Sequence, residues 1–269
     1  MRILGLLTCF NRKEKTVGVI NKLVEGNSNI QFYFIVVDDN SNDGTAEALK
    51  QFDCVKVLHG EGSLFYSGGM RAAINAARKD KKSYEYVLLF NDDVEFFHRA
   101  IETLAGREKN CIWVGPVCDR NKILSYGGIE KKSDWIPRFK TVKAEKEKGK
   151  IVDTFNANCV LIPWNLFLRL GNIDPVYTHA LGDFDYGLCA KKMGIKIKVS
   201  SDYVGICNDN PVAGSWNDKT LPRMTRLKLK ESPKGLPGKE WFHFLYKNYN
   251  LITALGYSIS PYVRILLKK

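Results

Sequence analysis

Three short acidic clusters hold the side chains best suited to chemistry: Asp38-Asp39, Asn91-Asp92-Asp93, and Asp183 with Asp185. Carboxylate and amide oxygens of this kind do three things. They accept hydrogen bonds from a base N–H or from ribose hydroxyls, they ligate a hard divalent cation such as Mg²⁺ or Mn²⁺, and they take a proton from an attacking hydroxyl. An unpaired carboxylate is too costly to leave in an apolar core. Each cluster therefore belongs at the end of an element rather than inside one.

The flanking residues say which elements. Val87 to Phe90 is a short apolar run that stops at Asn91, and Phe32 to Val37 is a β-branched and aromatic run that stops at Asp38. Runs of this length between polar segments read as strands buried on both faces. In open α/β sheets the carboxyl end of such strands is where ligands bind. Ile3 to Thr8 reads as the first strand, Lys15 to Glu25 as a helix, Ala46 to Phe52 as a helix opened by Ser41, Asn42, Asp43 and Thr45, and Val55 to His59 as a third strand. Ser67-Gly-Gly-Met-Arg71 leads into an Ala-rich helix over 72–79. Strands alternating with helices predict βαβ units and a mostly parallel sheet. After a helix over 98–109 the strands shorten, at 111–117, 123–126 and 158–162, and Lys140 to Lys150 reads as a solvated charged loop. Trp164 to Leu170 is a short helix. Asp183 and Asp185 open another that ends near Gly194, and 195–199 alternates with lysines as an edge strand.

The chain of 269 residues is 45% hydrophobic and 26% charged, an ordinary globular composition. Its formal charge of +12 favours phosphate-bearing partners. The seven cysteines are odd in number and form no CxxC pair, so they read as small buried hydrophobes of a reducing compartment. Ile3 to Leu7 is too short and too soon followed by Asn11-Arg12-Lys13 for a signal peptide. No apolar run approaches the roughly 20 residues that span a bilayer. A cytoplasmic protein is expected, with peripheral contact to the inner face of the cell membrane through its tail.

Taken together, Thr8-Cys-Phe-Asn-Arg12, Val37-Asp-Asp-Asn-Ser-Asn-Asp-Gly-Thr45, Asn91-Asp-Asp-Val-Glu95 and Gly182-Asp-Phe-Asp-Tyr-Gly-Leu188 resemble, in type and order, a family 2 glycosyltransferase of the GT-A fold. Phe65-Tyr-Ser-Gly-Gly-Met70 and Leu181-Gly-Asp-Phe-Asp-Tyr186 resemble the branch that builds bacterial surface polysaccharides, including rhamnosyltransferases. The resemblance implies an α/β fold with a Rossmann-like, mostly parallel sheet flanked by helices, a smaller mixed acceptor-side sheet and a C-terminal helical appendage. It implies a glycosyltransferase domain over 1–207, divided into a nucleotide-sugar half (1–109) and an acceptor half (110–207), followed by a basic, aromatic appendage over 208–269.

Residue by residue, the resemblance sets Thr8, Phe10 and Arg12 along the nucleobase and ribose, and Asp38 and Asp39 on the base and ribose. Asn91 and Asp92 lie against the donor, and Arg71 reaches toward the diphosphate. Asp93 matches the last position of the metal-binding DxD motif, with Asn91 where Asp is usual, so Asp93 is the main protein ligand for Mg²⁺ or Mn²⁺. Asp183 matches the catalytic base of the family's ED motif, with Gly182 where Glu is usual, and Asp185 is the alternative base. The implied reaction is inverting transfer from a UDP- or dTDP-sugar to a hydroxyl of a growing, lipid-linked surface glycan.

Two other classes compete. A sugar-nucleotide pyrophosphorylase would carry a Gly-rich phosphate loop near its start, which Thr8-Cys-Phe-Asn-Arg-Lys13 is not. A basic nucleic-acid-binding protein would interleave aromatic and basic residues on an exposed sheet face, whereas these strands are buried and acidic at their ends; no nucleic-acid partner is expected. The tail, aromatic from Trp241 to Tyr249 and apolar beyond Leu251 toward Arg264, Lys268 and Lys269, suits an anionic bilayer or an oligomer interface.

Overall fold

The structure is a computed structural model and describes residues 1–267; Lys268 and Lys269, read from sequence as part of the basic tail, lie outside the described residues. The first half runs β1 (Arg2–Cys9), α1 (Lys13–Gly26), β2 (Gln31–Asp38), α2 (Thr45–Leu49), β3 (Val55–His59), α3 (Phe65–Arg78), β4 (Tyr86–Phe90), β5 (Glu95–Phe96) and α4 (Ala100–Ala105). The second half adds short strands β6 (Cys111–Val114), β7 (Val117–Cys118), β8 (Leu124–Tyr126), β9 (Gly128–Lys131), β10 (Phe139–Val142), β11 (Lys150–Ile151), β12 (Thr154–Phe155) and β13 (Cys159–Pro163). Then come α5 (Trp164–Leu170), α6 (Gly182–Lys192), β14 (Lys196–Val199) and β15 (Gly205–Ile206). Helices α7 (Arg223–Glu231), α8 (Gly238–Asn248), α9 (Leu251–Ser258) and α10 (Ser260–Leu266) close the chain.

The main sheet has eight strands in the order β11-β14-β6-β13-β4-β1-β2-β3. The four strands from β3 to β4 are parallel, and β13 runs antiparallel between β4 and β6. Side chains alternate across β1: Leu4 and Leu6 enter the core under α3, α6 and α8, while Ile3 and Leu7 enter the core under α1 and α4. That two-sided burial is why the strands read as unbroken apolar runs. The register sets Cys9 beside Asp38 and Leu6 beside Leu89, so Thr8, Asp38 and Asn91 leave neighbouring strands on one edge. Chain order reverses between β1 and β4, the switch point where such sheets open a crevice. A mixed four-stranded sheet, β5-β15-β7-β8, and a small three-stranded sheet, β10-β9-β12, flank the second half.

Several expected boundaries move. Ser67 to Arg71 is not a lead-in, because α3 already begins at Phe65 and buries Ser67, Gly68 and Gly69. Gly69 sits there through packing rather than propensity: a Cβ on it would come 2.1 Å from Thr8 Oγ1. The helix read over 98–109 shrinks to α4, since Arg99 takes a left-handed φ of 58°. Lys140 to Lys150 is no solvated loop throughout. Val142 and Ala144 are buried, and β10 pairs with β9, leaving Lys140, Lys146, Lys148 and Lys150 exposed. The strand over 195–199 is not the edge, because Lys150–Ile151 pairs outside it. All seven cysteines are free, five of them buried.

Candidate active site

Elements from both halves meet over the β1–β4 switch point. Two strand ends deliver Thr8, Phe10 and Arg12, then Asp38 and Asp39; a third delivers Asn91 to Asp93. Phe10 is half exposed at the mouth and free to stack. Arg12 reaches across the chain, with Nη1 2.7 Å from Asp92 Oδ1 and 3.3 Å from Asp93 Oδ2. Asp92 is buried and also accepts from Thr16 at 3.4 Å. Burial pushes its carboxyl up, and the Arg12 guanidinium opposes that. Asp93 stays about one-third exposed.

Asp39 is committed elsewhere. Its carboxylate accepts from the Gly62, Leu64 and Phe65 amides at 2.8, 2.9 and 3.1 Å, so it holds the loop that opens α3. Asp38 is buried and accepts from the Ser41 amide at 3.0 Å. Arg71 does not point toward the strand-end corner: its Nη1 donates to the carbonyls of Asp174 and Tyr177 at 3.2 and 3.1 Å and ties down the segment before α6.

The third acidic pair splits across α6. Leu181 adopts a left-handed φ of 66°, which turns the chain into the helix. Asp183 is half-buried and accepts one amide on each oxygen, from Ala157 at 3.1 Å and Phe184 at 2.8 Å. Two lone pairs remain for a substrate. Burial pushes its carboxyl up to about 6, against the pull of those amides. A group at about 6 is still mostly ionised at neutral pH.

Asp185, two residues on, faces the opposite way. It is buried and bonded to Lys247 Nζ at 2.6 Å and Asn248 Nδ2 at 2.7 Å, both from α8. Lys247 also binds Asp174 at 2.9 Å, and His243 lies 3.0 Å from Asp174. The charged and amide hydrogen bonds on Asp185 leave it no access to an acceptor.

Gly182, where the family motif has Glu, is required by close packing. A Cβ there would meet Ser67 Oγ at 2.3 Å, because the start of α6 lies on the first turn of α3. That contact brings Ser67, Tyr66 and His179 together beside the start of α6. Ser67 Oγ donates to the His179 carbonyl at 2.8 Å, and the His179 ring stands edge-on to Phe65 and Tyr66. Burial lowers the His179 pKa, so its Nδ1 accepts from the Tyr66 amide at 3.4 Å as a neutral ring. Tyr66 senses the charge of both Asp183 and Asp93, and its hydroxyl is raised first by burial and then by those two carboxylates. Strand β15 brings a second set. Cys207 Sγ lies 3.7 Å from Asp93 Oδ1, and the Tyr126 hydroxyl, pushed up to about 12 by burial, also senses Cys207, Asp209 and Asp93. The only sequence signal for Tyr66 was its place inside the Phe65 to Met70 motif; Cys207 had none.

A cavity of about 560 Å³ opens on the α1 side of this corner, against Asp92, Asp93, Lys15, Lys22 and Arg120. Its lining does not include Asp183. Among the described residues no group of three or more His, Cys, Asp or Glu could hold a metal unaided. The corner still fits a hard cation of the kind held by one or two carboxylates together with substrate phosphates. Asp93 offers an accessible carboxylate, and Arg12 on its other oxygen marks a place where positive charge is favoured.

The fold is that of the GT-A glycosyltransferases, a large, mostly parallel sheet flanked by helices. The sequence profile of glycosyl transferase family 2 matches residues 6–159, and the chain belongs to that family. It is thus a glycosyltransferase, which sets aside the pyrophosphorylase and nucleic-acid readings. A comparison with curated protein sequences found no match. Among solved structures, the mannosyltransferase PcManGT from Pyrobaculum calidifontis, in complex with GDP-Man and Mn²⁺, is 13% identical with a TM-score of 0.57, over 99% of this chain and 73% of that one. GalNAc-T7 with UDP, GalNAc and Mn²⁺ is 14% identical with a TM-score of 0.58; the alignment covers 97% of this chain but only 56% of GalNAc-T7. S. aureus TarS 1-349 is 15% identical with a TM-score of 0.55, over 97% and 72% of the two chains. At these identities the likeness is one of fold.

Proposed function

We propose that the chain transfers a sugar, with inversion, from a UDP- or dTDP-sugar to a hydroxyl of a growing, lipid-linked bacterial surface glycan. The observation that carries this reading is the pair Asp93 and Asp183: one accessible carboxylate at a strand end, and one at the start of α6 held by only two backbone amides. Phe10, Thr8, Arg12 and Asp38 bind the nucleoside, and Asn91 lies beside the diphosphate. Asp93 would hold Mg²⁺ or Mn²⁺, and the ion would offset charge on the leaving diphosphate. The complexes of PcManGT and GalNAc-T7 with Mn²⁺ support a divalent cation. Asp183 accepts the proton of the acceptor hydroxyl as its oxygen bonds to the anomeric carbon from the face opposite the diphosphate, while the C–O bond to the diphosphate breaks. Asp39, Asp92, Arg71 and Asp185 act on the protein rather than on substrate: Asp39 shapes the loop into α3, Asp92 aims Arg12, Arg71 fixes the chain before α6, and Asp185 seats α6 on α8. Residues 1–109 serve the donor and 110–207 the acceptor, with 208–269 buttressing the acceptor side.

The test is a screen of UDP-, dTDP- and GDP-sugars for thermal stabilisation in the presence of Mn²⁺, followed by release of the nucleoside diphosphate with the stabilising donor. A UDP- or dTDP-sugar is expected to raise the melting temperature. Stabilisation by GDP-sugars alone would overturn the donor assignment.

A further inference from the structure

The last two helices carry an unpartnered apolar face. From Asn248 to Val263 the sequence has no charged residue. At 3.6 residues per turn, Ile252, Leu255 and Ile259 share one side of α9, and Thr253 and Ala254 turn to the protein. The exposures follow: Ile252 is 77%, Leu255 56% and Ile259 58% exposed, with Thr253 and Ala254 buried. On α10, Val263, Leu266 and Leu267 are 43%, 53% and 59% exposed while Ile265 is buried. Trp135 adds an indole that is 67% exposed at the rim, since its carbonyl accepts from Thr253 Oγ1 at 3.1 Å. A contiguous exposed patch of this kind marks an interaction surface.

The surroundings of the patch are cationic. Residues 211 to 267 hold nine Lys or Arg against three Asp or Glu. Helix α7 packs on α10, with Lys230 Nζ 3.9 Å from the Tyr262 ring centre, and it exposes Arg223 and Lys228; α10 itself exposes Arg264. A second copy of the chain docked about a two-fold axis would bring the same positive rim against this one. An anionic surface complements it. Among the described residues no helix is long and apolar enough to cross a membrane, so the pair would lie in the interface plane.

We propose that the α9–α10 face, with Trp135 and the cations of α7 and α10, docks on an anionic lipid bilayer. The apolar side chains enter the headgroup boundary and Arg223, Lys228 and Arg264 meet lipid phosphates. The same α8 that precedes this face seats α6 through Lys247 and Asn248, and Phe139 packs on Phe184, Phe244 and Tyr249. The docked surface is thereby coupled to the helix that carries Asp183. The lipid surface goes beyond the transfer reading and stands without it, because binding to vesicles needs no turnover.

The full chain, its I252E/L255E variant and its R223E/K228E variant would be sedimented with phosphatidylcholine vesicles, with and without phosphatidylglycerol. All of these positions are exposed, and circular dichroism with a melting curve verifies that each variant is folded. The expected result is pelleting with the phosphatidylglycerol vesicles, weakened by salt. Binding should fall at least about tenfold in I252E/L255E, from the loss of two apolar side chains, and several-fold in R223E/K228E through lost attraction to the anionic lipid. Wild-type protein that stays in the supernatant, or an apolar variant that pellets equally, would overturn the proposal. So would a dimer in vesicle-free chromatography that I252E/L255E converts to monomer, which would assign the face to a second copy.

Discussion

The strand-end corner at Asp92-Asp93 and the helix start at Asp183–Asp185 each present two nearby carboxylates, and each uses them differently from the other. At the strand end both lie on one side, where Arg12 bridges them and draws them into a single charged unit. At the helix start the two positions diverge around the helix: Asp183 has only two amides for company, while Asp185 is sealed beneath α8 by Lys247 and Asn248. The difference follows from backbone geometry. An abrupt strand-to-loop exit keeps successive residues together, whereas two steps along a helix turn a side chain by about 200°. A cation site needs the first arrangement. A proton acceptor that must remain partly desolvated and unpaired needs the second.

The largest expected effect tests that division at α6. Asp183→Asn keeps the shape and one of the two amide-accepting oxygens but removes the carboxylate's basicity, so turnover should fall about 10²- to 10⁴-fold with donor affinity nearly intact. In the parent enzyme the base is the ionised form. With the carboxyl raised to about 6, kcat/KM should be full above that value and fall as pH drops through it. Asp185→Asn should cost far less turnover. The reverse ranking would mean that the sealed carboxylate is the functional one.

At the strand end, Asp93→Ala should abolish the extra stabilisation that Mn²⁺ adds to a nucleotide-bound sample, and EDTA should remove activity from the parent enzyme. A metal in such a site supplies several kcal/mol of charge stabilisation, so a loss of at least about a hundredfold is expected. Undiminished turnover in EDTA would leave Arg12 as the source of positive charge at this corner.

The smallest effect concerns the clamp that makes the two α6 carboxylates unequal. Lys247→Met leaves Asp185 and Asp174 short of a charged donor, a loss of about 2–3 kcal/mol. For a chain of this size that corresponds to roughly 4–10 °C in melting temperature. Turnover per folded molecule should change less than about tenfold. A melting temperature that does not move would show that α8 contributes packing alone.

Much of this was legible from residue order. Buried parallel strands announce themselves as unbroken apolar runs, because both faces of the sheet are covered, and their ends are marked by the first side chains that cannot be buried. Val87–Phe90 before Asn91 and Phe32–Val37 before Asp38 are of this kind, and the four motifs in sequence pointed to the fold. The roles of single carboxylates were not legible to the same degree. Asp39 and Asp185 look as available as Asp93 and Asp183 when only neighbours in the chain are known. They are occupied by partners about 25 and 60 residues away, respectively. Gly182, Tyr66 and Cys207 likewise take their meaning from α3 lying on α6 and from β15 reaching Asp93. Periodicity and burial are properties of a segment and are written locally. Whether a charged group is satisfied depends on which distant donors the fold brings within about 3 Å of it, and that is decided only when the elements pack.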